Sequence, residues 1–437
     1  MQHYNNLYKI SKILYGKLHP YTILYRIRKS PILLPYIICC LPFLVLKFVI
    51  QKIKTLIYKA CINIRFNKFK KNNCHKQVSD FIKPLALYLP QYHEIAENNE
   101  WWGHGFTEWT NVKKAKPLFK NHYQPHIPHS DIGYYDLSDV NVMRKQAKIA
   151  KEYGIYGFCF YYYHFANSKR LLELPINNWL RATDINFPFC FAWANENWTR
   201  AWDGGDKEVI MPQDYDENNI LQMINNMLPA FKDDRYIKID NRPVLFVYRA
   251  EIIPQIKRLT NQWRKVVKEN GFDDLYLVSM QNFKQENPYN MGFDAASEFA
   301  PQANAKLIDF PKLCLKDLCD KNINFITMSN VINTLTYRSA VNYPRIKCIC
   351  PSWDNSPRKG EKASRVILET SPNLFKDFMY RAVIETLSLS TKNCDNILLI
   401  NAWNEWGEGA HVEPDEKYGY EWLNVIKTIQ NLSINKL

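Results

Sequence analysis

Acidic residues are all but missing from the first 80 positions. Fifteen Lys and Arg stand there against one acid, Asp80, while the remaining 357 residues hold 42 charges of each sign. The formal net charge of +14 therefore belongs to an N-terminal arm. The neutral remainder offers no basic face to a nucleic acid, and none is expected as a partner. Paired cysteines are missing too. The 11 cysteines are odd in number and scattered: Cys39 and Cys40 are adjacent, Cys159 and Cys190 lie inside apolar runs, and Cys348 and Cys350 share one face of a strand. This excludes a disulfide framework and reads as reduced thiols of a cytoplasmic protein. No CxxC pair supports a structural zinc, no HExxH supports a catalytic one, and no GxGxxG follows a strand-like run. Neither a metal nor a cofactor is expected.

A clean membrane-spanning run is also absent. Residues 31–46 are apolar apart from Tyr36, but the run falls short of the roughly 20 residues a spanning helix needs and contains Pro35 and Pro42. From Leu46 onward, Val49, Ile50, Ile53, Ile57, Ala60 and Ile64 fall on one helical face. Six basic residues precede the apolar run and eight lie between positions 51 and 80. A spanning segment shows that bias on one side only. Residues 1–80 therefore read as a basic helical arm lying on the inner leaflet, with residues 81–437 as the folded domain. A helix that merely packs on the domain is the alternative. No small-x-small site follows the run, so no cleaved signal peptide is expected.

Aromatics are plentiful: 27 Tyr, 23 Phe and 12 Trp. From about Lys83 onward the chain carries eight short apolar runs, each closing on polar or aromatic residues. They are Leu85–Leu89, Gly157–Phe160, Phe187–Trp193, Val244–Val247, Leu275–Met280, Phe293–Ser297, Arg345–Cys350 and Ile397–Ile400. Helical periodicity predicts Val140–Tyr153, Leu171–Thr183, Glu217–Phe231, Ile252–Asn270 and Leu374–Ser390 between them. Alternating strand and helix over such a length predicts an α/β fold, a (β/α)8 TIM-like barrel whose strand ends present the site. An open doubly wound sheet lacks its usual glycine-rich cofactor turn. The segment from Pro301 to Tyr343 predicts helices and an insertion.

The eighth run leads into Asn401-Ala-Trp-Asn-Glu-Trp-Gly-Glu-Gly409. Glu405 and Glu408, three apart at a strand end and flanked by Trp403 and Trp406, suit glycosidic-bond chemistry, which uses paired carboxylates. Glu196, in Trp193-Ala-Asn-Glu-Asn-Trp198, has the same Asn-Glu form as Asn404-Glu405, so Glu196 with one terminal acid is the competing pair. Arg200 and Asp203 beyond it are substrate contacts or an ion pair that locks the loop. Other candidates for sugar binding are Tyr92, His93, Tyr163, His164, Asn195, Trp198, Tyr248, Gln281, Glu298, Trp353, Asp354, Asn404 and Trp406. To these the long loop after the first strand adds Trp101, Trp102 and Trp109, expected at the C-terminal mouth of the barrel. Six of the ten histidines lie between His93 and His164, without metal-ligand spacing.

Leu87-Tyr-Leu-Pro-Gln-Tyr-His93, Glu108-Trp-Thr-Asn-Val112, Phe191-Ala-Trp-Ala-Asn-Glu-Asn-Trp198 and the 401–409 stretch together resemble the WbsX-type proteins of surface-polysaccharide biosynthesis. Those proteins contain a domain similar to glycoside hydrolase family 99. The resemblance runs from about residue 83 to 430 and leaves out the arm. It implies a (β/α)8 barrel acting on α-mannosidic linkages with retention. It also implies that Glu405 removes the proton of the sugar 2-hydroxyl while Glu408 serves as general acid and then base. Gly407 departs from the larger polar residue expected between the acids of such hydrolases. No DxD step closes a strand and no glycine loop cradles a phosphate, so the sequence shows no nucleotide-sugar site. The sequence thus predicts an enzyme of glycosidic bonds, hydrolase or transferase. The alternative of another class is a barrel that binds an oligosaccharide or polysaccharide without turning it over.

Overall fold

In the computed structural model the structure describes residues 34–200, 205–282, 284–302, 322–338, 340–389 and 396–437. Eight parallel strands close on themselves. They are β1 (Lys83–Tyr88), β2 (Gly157–His164), β3 (Phe189–Trp193), β4 (Arg242–Val247), β5 (Tyr276–Gln281), β6 (Ala295–Glu298), β7 (Arg345–Ile349) and β8 (Ile397–Ile400). Closure is made by β1, which pairs with β2 from Leu85↔Gly157 and with β8 from Lys83↔Ile397. The strands are buried on both faces, which is why most of the runs are continuously apolar rather than alternating; β6 and β7 are the exceptions, with Ser297, Glu298 and Lys347 buried among them. All four residues of β8, Ile-Leu-Leu-Ile, are buried. The (β/α)8 barrel expected from the sequence is the observed fold.

Helices cover the outside: α1 (Leu34–Asn73), α2 (Val140–Glu152), α3 (Glu173–Arg181), α4 (Glu217–Phe231), α5 (Ile256–Glu269), α6 (Met328–Leu335), α7 (Pro372–Leu389) and α8 (Glu421–Gln430). Local chemistry sets their ends. Asp139 and Asp216 accept the backbone N–H two residues on and so cap α2 and α4. Helix α5 starts four residues later than its periodicity predicts, because Pro254 follows a short 3-10 turn and Gln255 is left-handed. Its buried stripe, Leu259, Trp263 and Val267, keeps the predicted helical spacing. Helix α3 also starts late, since Arg170–Leu171 is taken as an antiparallel partner by Tyr163 and His164. That pairing extends β2 four residues past its predicted end.

Two insertions decorate the C-terminal side. Trp198–Arg200 pairs with Gly205–Met211 as a hairpin, and Asn322–Thr327 pairs in parallel with Lys362–Leu368. Arg200 meets Glu208 across the hairpin, while Asp203 lies outside the described residues.

The arm differs from expectation in two respects. Its backbone continues as one helix through Pro42: Pro35 sits in the first turn, where no N–H is needed, and the single bond lost at Pro42 does not end a 40-residue helix. Its second half also packs on the barrel. Tyr58, Ile62 and Phe66 are buried, and the Phe69 and Phe81 rings meet edge to face at 4.9 Å. The chain after it is tied to the C-terminus, with Val78 N–H donating to Leu432 O and Ile434 N–H to Lys76 O. Each of those three side chains contributes about 1.5–3 kcal/mol by burial. The seam thus crosses the boundary expected at residue 80. A protein beginning at residue 50 should therefore unfold at the temperature of the full chain, and one beginning at residue 81 several degrees lower, read by circular dichroism melting.

Candidate active site

The acids follow β8. Asn404–Glu405 forms a two-residue antiparallel bridge with Ala410–His411, and the 3-10 turn Trp406–Glu408 closes the small hairpin. Glu405 and Glu408 thereby project at the C-terminal mouth, where a barrel presents reactive groups. Between them stands Arg358, from the short helix Ser356–Lys359 after β7. Its Nη2 lies 2.7 Å from Glu405 and its Nη1 2.8 Å from Glu408. A third carboxylate, Glu108 in the loop after β1, accepts from Arg358 Nε at 2.8 Å. Sequence reasoning missed Arg358, which carries no strand-end signal, and took Glu108 only as part of a motif.

Burial orders these groups. Glu108 is fully buried, the Glu405 side chain is 7% exposed, and Glu408 keeps 20% open. Burial raises the Glu408 carboxyl to about 8, helped by Glu405 and Glu108 and opposed by Arg358. Glu108 is raised for the same first cause, desolvation. Three phenols face the acids. Tyr161, Tyr163 and Tyr248 are all pushed up, first by burial and then by the neighbouring Glu405 and Glu408 charges. Tyr161 was not among the expected site residues, although it directly follows the predicted end of β2 at Phe160.

Glu196 lies at the same mouth, its side chain 42% exposed, and is ion-paired with Arg249. Burial raises its carboxyl and the arginine opposes this. Tyr248 is raised by burial and then by the charges of Glu196, Glu408 and Glu405. Trp198, Trp101 and Tyr163 form an aromatic rim, with ring centroids 6.0 Å apart for Trp101–Trp198 and 5.2 Å for Tyr163–Trp198. Trp102 stands half-buried beside Phe106, with the Arg200 guanidinium 5.8 Å from its ring.

The remaining expected sugar contacts are engaged in bonds within the protein. Asn404 accepts from Leu89 N–H at 2.7 Å and donates to Leu89 O at 2.9 Å, stapling the β8 loop to the end of β1. Asn195 does the same with Arg249 N–H and O, at 2.8 and 3.0 Å. Tyr92 donates to Asn404 O beneath the site. Trp109 is buried on the C-terminal side, donating to Tyr135 O at 2.8 Å. Trp406 stacks on His411 at 3.6 Å and donates to Glu413. His164 is fully buried against Asn219 O, His93 is buried, and Trp353 is buried in the main core. Gln281 donates to Glu286 O and Tyr343 Oη.

Glu298 faces the helical layer instead of the mouth. There it joins Lys347, Arg338 and Arg345, whose positive charges hold its carboxyl low against burial. Asp354 accepts from Gln124 at 2.6 Å and lies 2.6 Å from His122 Nε2, so it anchors the first loop. These polar side chains sit at strand ends, as expected, but their bonds go to backbone and loops.

Glu413, unremarked in the sequence, accepts from Trp406, Tyr135 and Gln146 at 2.7–2.8 Å. Burial lifts its carboxyl to about 7. Groups whose folded pKa is raised above the ordinary 4.5 bind more protons folded than unfolded, so stability falls as pH rises through that window. The melting temperature should therefore drop between pH 5 and 8, and Glu413→Gln should flatten the drop. An unchanged slope in that variant would show that Glu413 ionises without penalty.

Residues 84–426 match the family described as Glycosyltransferase WbsX. The "Uncharacterized protein WxcX" of Xanthomonas campestris pv. campestris, strains ATCC 33913 and B100, is 38% identical over 345 residues. That match covers 78% of this chain and 49% of the relative, so the chain spans about half the length of the curated relatives it matches. Among solved structures, a "Glycoside hydrolase-like protein" superimposes with a TM-score of 0.52 at 15% identity, over 80% of this chain and 94% of its own. The family 99 endo-alpha-mannosidase of Bacteroides thetaiotaomicron gives 0.47 at 14% identity, over 79% of this chain and 95% of its own. With its family match running over most of the barrel, this chain belongs to the WbsX glycosyltransferase family.

Proposed function

We propose that the chain cleaves or transfers glycosidic bonds of a cell-surface polysaccharide, O-antigen or capsule in type, or of its lipid-linked precursor. The observation that carries this is the meeting of Glu405 and Glu408 on Arg358 at the barrel mouth, with Glu408 raised to about 8. A carboxyl protonated at neutral pH can donate to a leaving oxygen, and an ionised neighbour can receive a proton. In the reading that the family resemblance supports, Glu408 gives its proton to the glycosidic oxygen as the bond to C1 breaks. Glu405 takes the proton of the 2-hydroxyl, whose oxygen closes onto C1. Glu408, now a carboxylate, then draws a proton from water or an acceptor sugar hydroxyl as that oxygen attacks C1. The bond from C1 to the 2-oxygen opens and Glu405 returns its proton, with net retention. Water gives hydrolysis and an acceptor hydroxyl gives transfer. Glu196, ion-paired with Arg249, is the competing member of the reacting pair.

Manno-oligosaccharides and the organism's surface glycan are the substrates to screen. Glu405→Gln and Glu408→Gln should each lower the rate at least roughly a hundredfold. The wild-type rate should fall as pH rises past about 8, where Glu408 loses its proton. A crippling Glu196→Gln beside a mild Glu408→Gln would transfer the role of acid to Glu196. Binding without turnover, unchanged in Glu408→Gln, would make the protein a carbohydrate-binding barrel.

We also propose that residues 1–80 hold the protein on the cytoplasmic face of the plasma membrane. Supporting this are the +14 charge of that segment and the outer face of α1, where Ile50, Ile53, Leu56, Ile57 and Ile64 are 43–70% exposed. Anionic lipid attracts each nearby Lys or Arg by roughly 1 kcal/mol. Burial of the apolar face adds a part that salt does not weaken. Among the described residues no helix is long and apolar enough to cross a membrane. The full chain should sediment with anionic vesicles, loosen only partly in high salt, and be released by Ile53→Glu with Ile57→Glu. A full chain that stays in the supernatant at low salt would refute the anchor.

A further inference from the structure

Arg358 is bound at every nitrogen to a different carboxylate: Nε to Glu108, Nη2 to Glu405 and Nη1 to Glu408, all at 2.7–2.8 Å. The four side chains come from the loops after β1, β7 and β8. Gly407, between the acids, shows how tight the arrangement is. A Cβ there would stand 1.7 Å from Glu108 Oε1 and 2.9 Å from Arg358 Nε. Glu108 fills the space that any side chain at 407 would need. Glycine at 407 is therefore what the Glu108–Arg358 pair packed against it requires.

We propose that Arg358 and Glu108 are the positioning residues of the acid pair, with Arg358 fixing where Glu405 and Glu408 stand and Glu108 orienting the guanidinium. Planar and forked, a guanidinium can hold three carboxylates in set directions, whereas an ammonium is a point charge that cannot. Three acids against one arginine also leave the cluster net acidic. Such a mouth suits a neutral sugar at the reacting position and repels a pyrophosphate leaving group. The inference rests on reading Glu408 as the acid, and deepens that reading to bonds between sugars.

The test is a carboxyl titration followed by carbon-13 NMR of labelled glutamate, with Glu408 assigned by its loss in Glu408→Gln. It requires no substrate. Other ionisable groups against the cluster are Tyr92, Tyr161, Tyr163 and Tyr248, all pushed up by burial, and Lys114, which faces Glu108. Arg358→Met should move the Glu408 midpoint upward from about 8 by roughly one to three pH units. Glu108→Gln, which removes a like charge, should move it downward. Arg358→Lys should keep part of the charge effect yet lower turnover at least roughly tenfold, because one ammonium cannot hold both acids.

Opposite shifts in the two neutral variants show that both charges act on Glu408, and the loss of turnover in a folded Arg358→Lys supports the positioning role, since a charge effect alone would survive that change. A midpoint unmoved in both would overturn it, as would full activity in Arg358→Lys. Should Arg358→Met fail to fold, the Glu108→Gln shift decides alone. Should the wild type turn over no glycan while the shifts appear, the functional reading fails and the positioning geometry stands.

Discussion

Removing three carboxylates and one guanidinium from water is costly unless their geometry is good, because the desolvation of each ion must be offset by close, directed contacts. At the mouth of this barrel those contacts are made one per nitrogen on Arg358. Everything nearby serves to keep them so. The charges do not balance, and the surplus negative charge, together with burial, keeps a proton on Glu408 at neutral pH. The chemistry proposed for the site and the cost of building it therefore have one origin.

Rigid polar staples hold the loops that carry these groups. Asn404 ties the segment after β8 to the end of β1, and Asn195 ties the segment after β3 to the end of β4. Asp354, anchored to His122 and Gln124, also donates its N–H to the Glu408 carbonyl at 2.6 Å. Beneath them Tyr92, Trp109, Tyr135 and Trp406 pack with centroids 4.6–5.5 Å apart. This aromatic floor lets the acids stand on a fixed base, which is what acid–base groups need in order to meet a substrate at hydrogen-bond range.

The barrel was legible because a strand buried on both faces is written mostly in apolar residues, as most of these are; β6, with Ser297 and Glu298, and β7, with Arg345 and Lys347, carry the weaker signal. The placing of Glu405 and Glu408 together at the mouth was legible because they follow a strand, beside two indoles. What could not be read was the direction and partnership of polar side chains. Asn195 and Asn404 look like ligands for sugar hydroxyls, but the backbone ends of neighbouring strands take their bonds. Glu298 at the end of β6 points outward to Lys347, a contact with residues far away in sequence. Arg358 lies nine residues past β7 in a short helix with no motif, and only the fold brings it 2.7 Å from Glu405. The arm showed the same limit: the sequence displayed its outer apolar face, while Tyr58, Ile62 and Phe66 on the barrel side did not stand out.

The central claim is that the reacting sugar sits between Glu405 and Glu408, with Glu408 at the oxygen that leaves. A crystal of the Glu408→Gln protein soaked with a manno-configured oligosaccharide tests it most directly. The account predicts the amide of residue 408 within hydrogen-bond reach of a glycosidic oxygen and the Glu405 carboxylate at the 2-hydroxyl of the same sugar. A glycan bound across Glu196 and Arg249, with both terminal acids out of reach of any glycosidic oxygen, would contradict it.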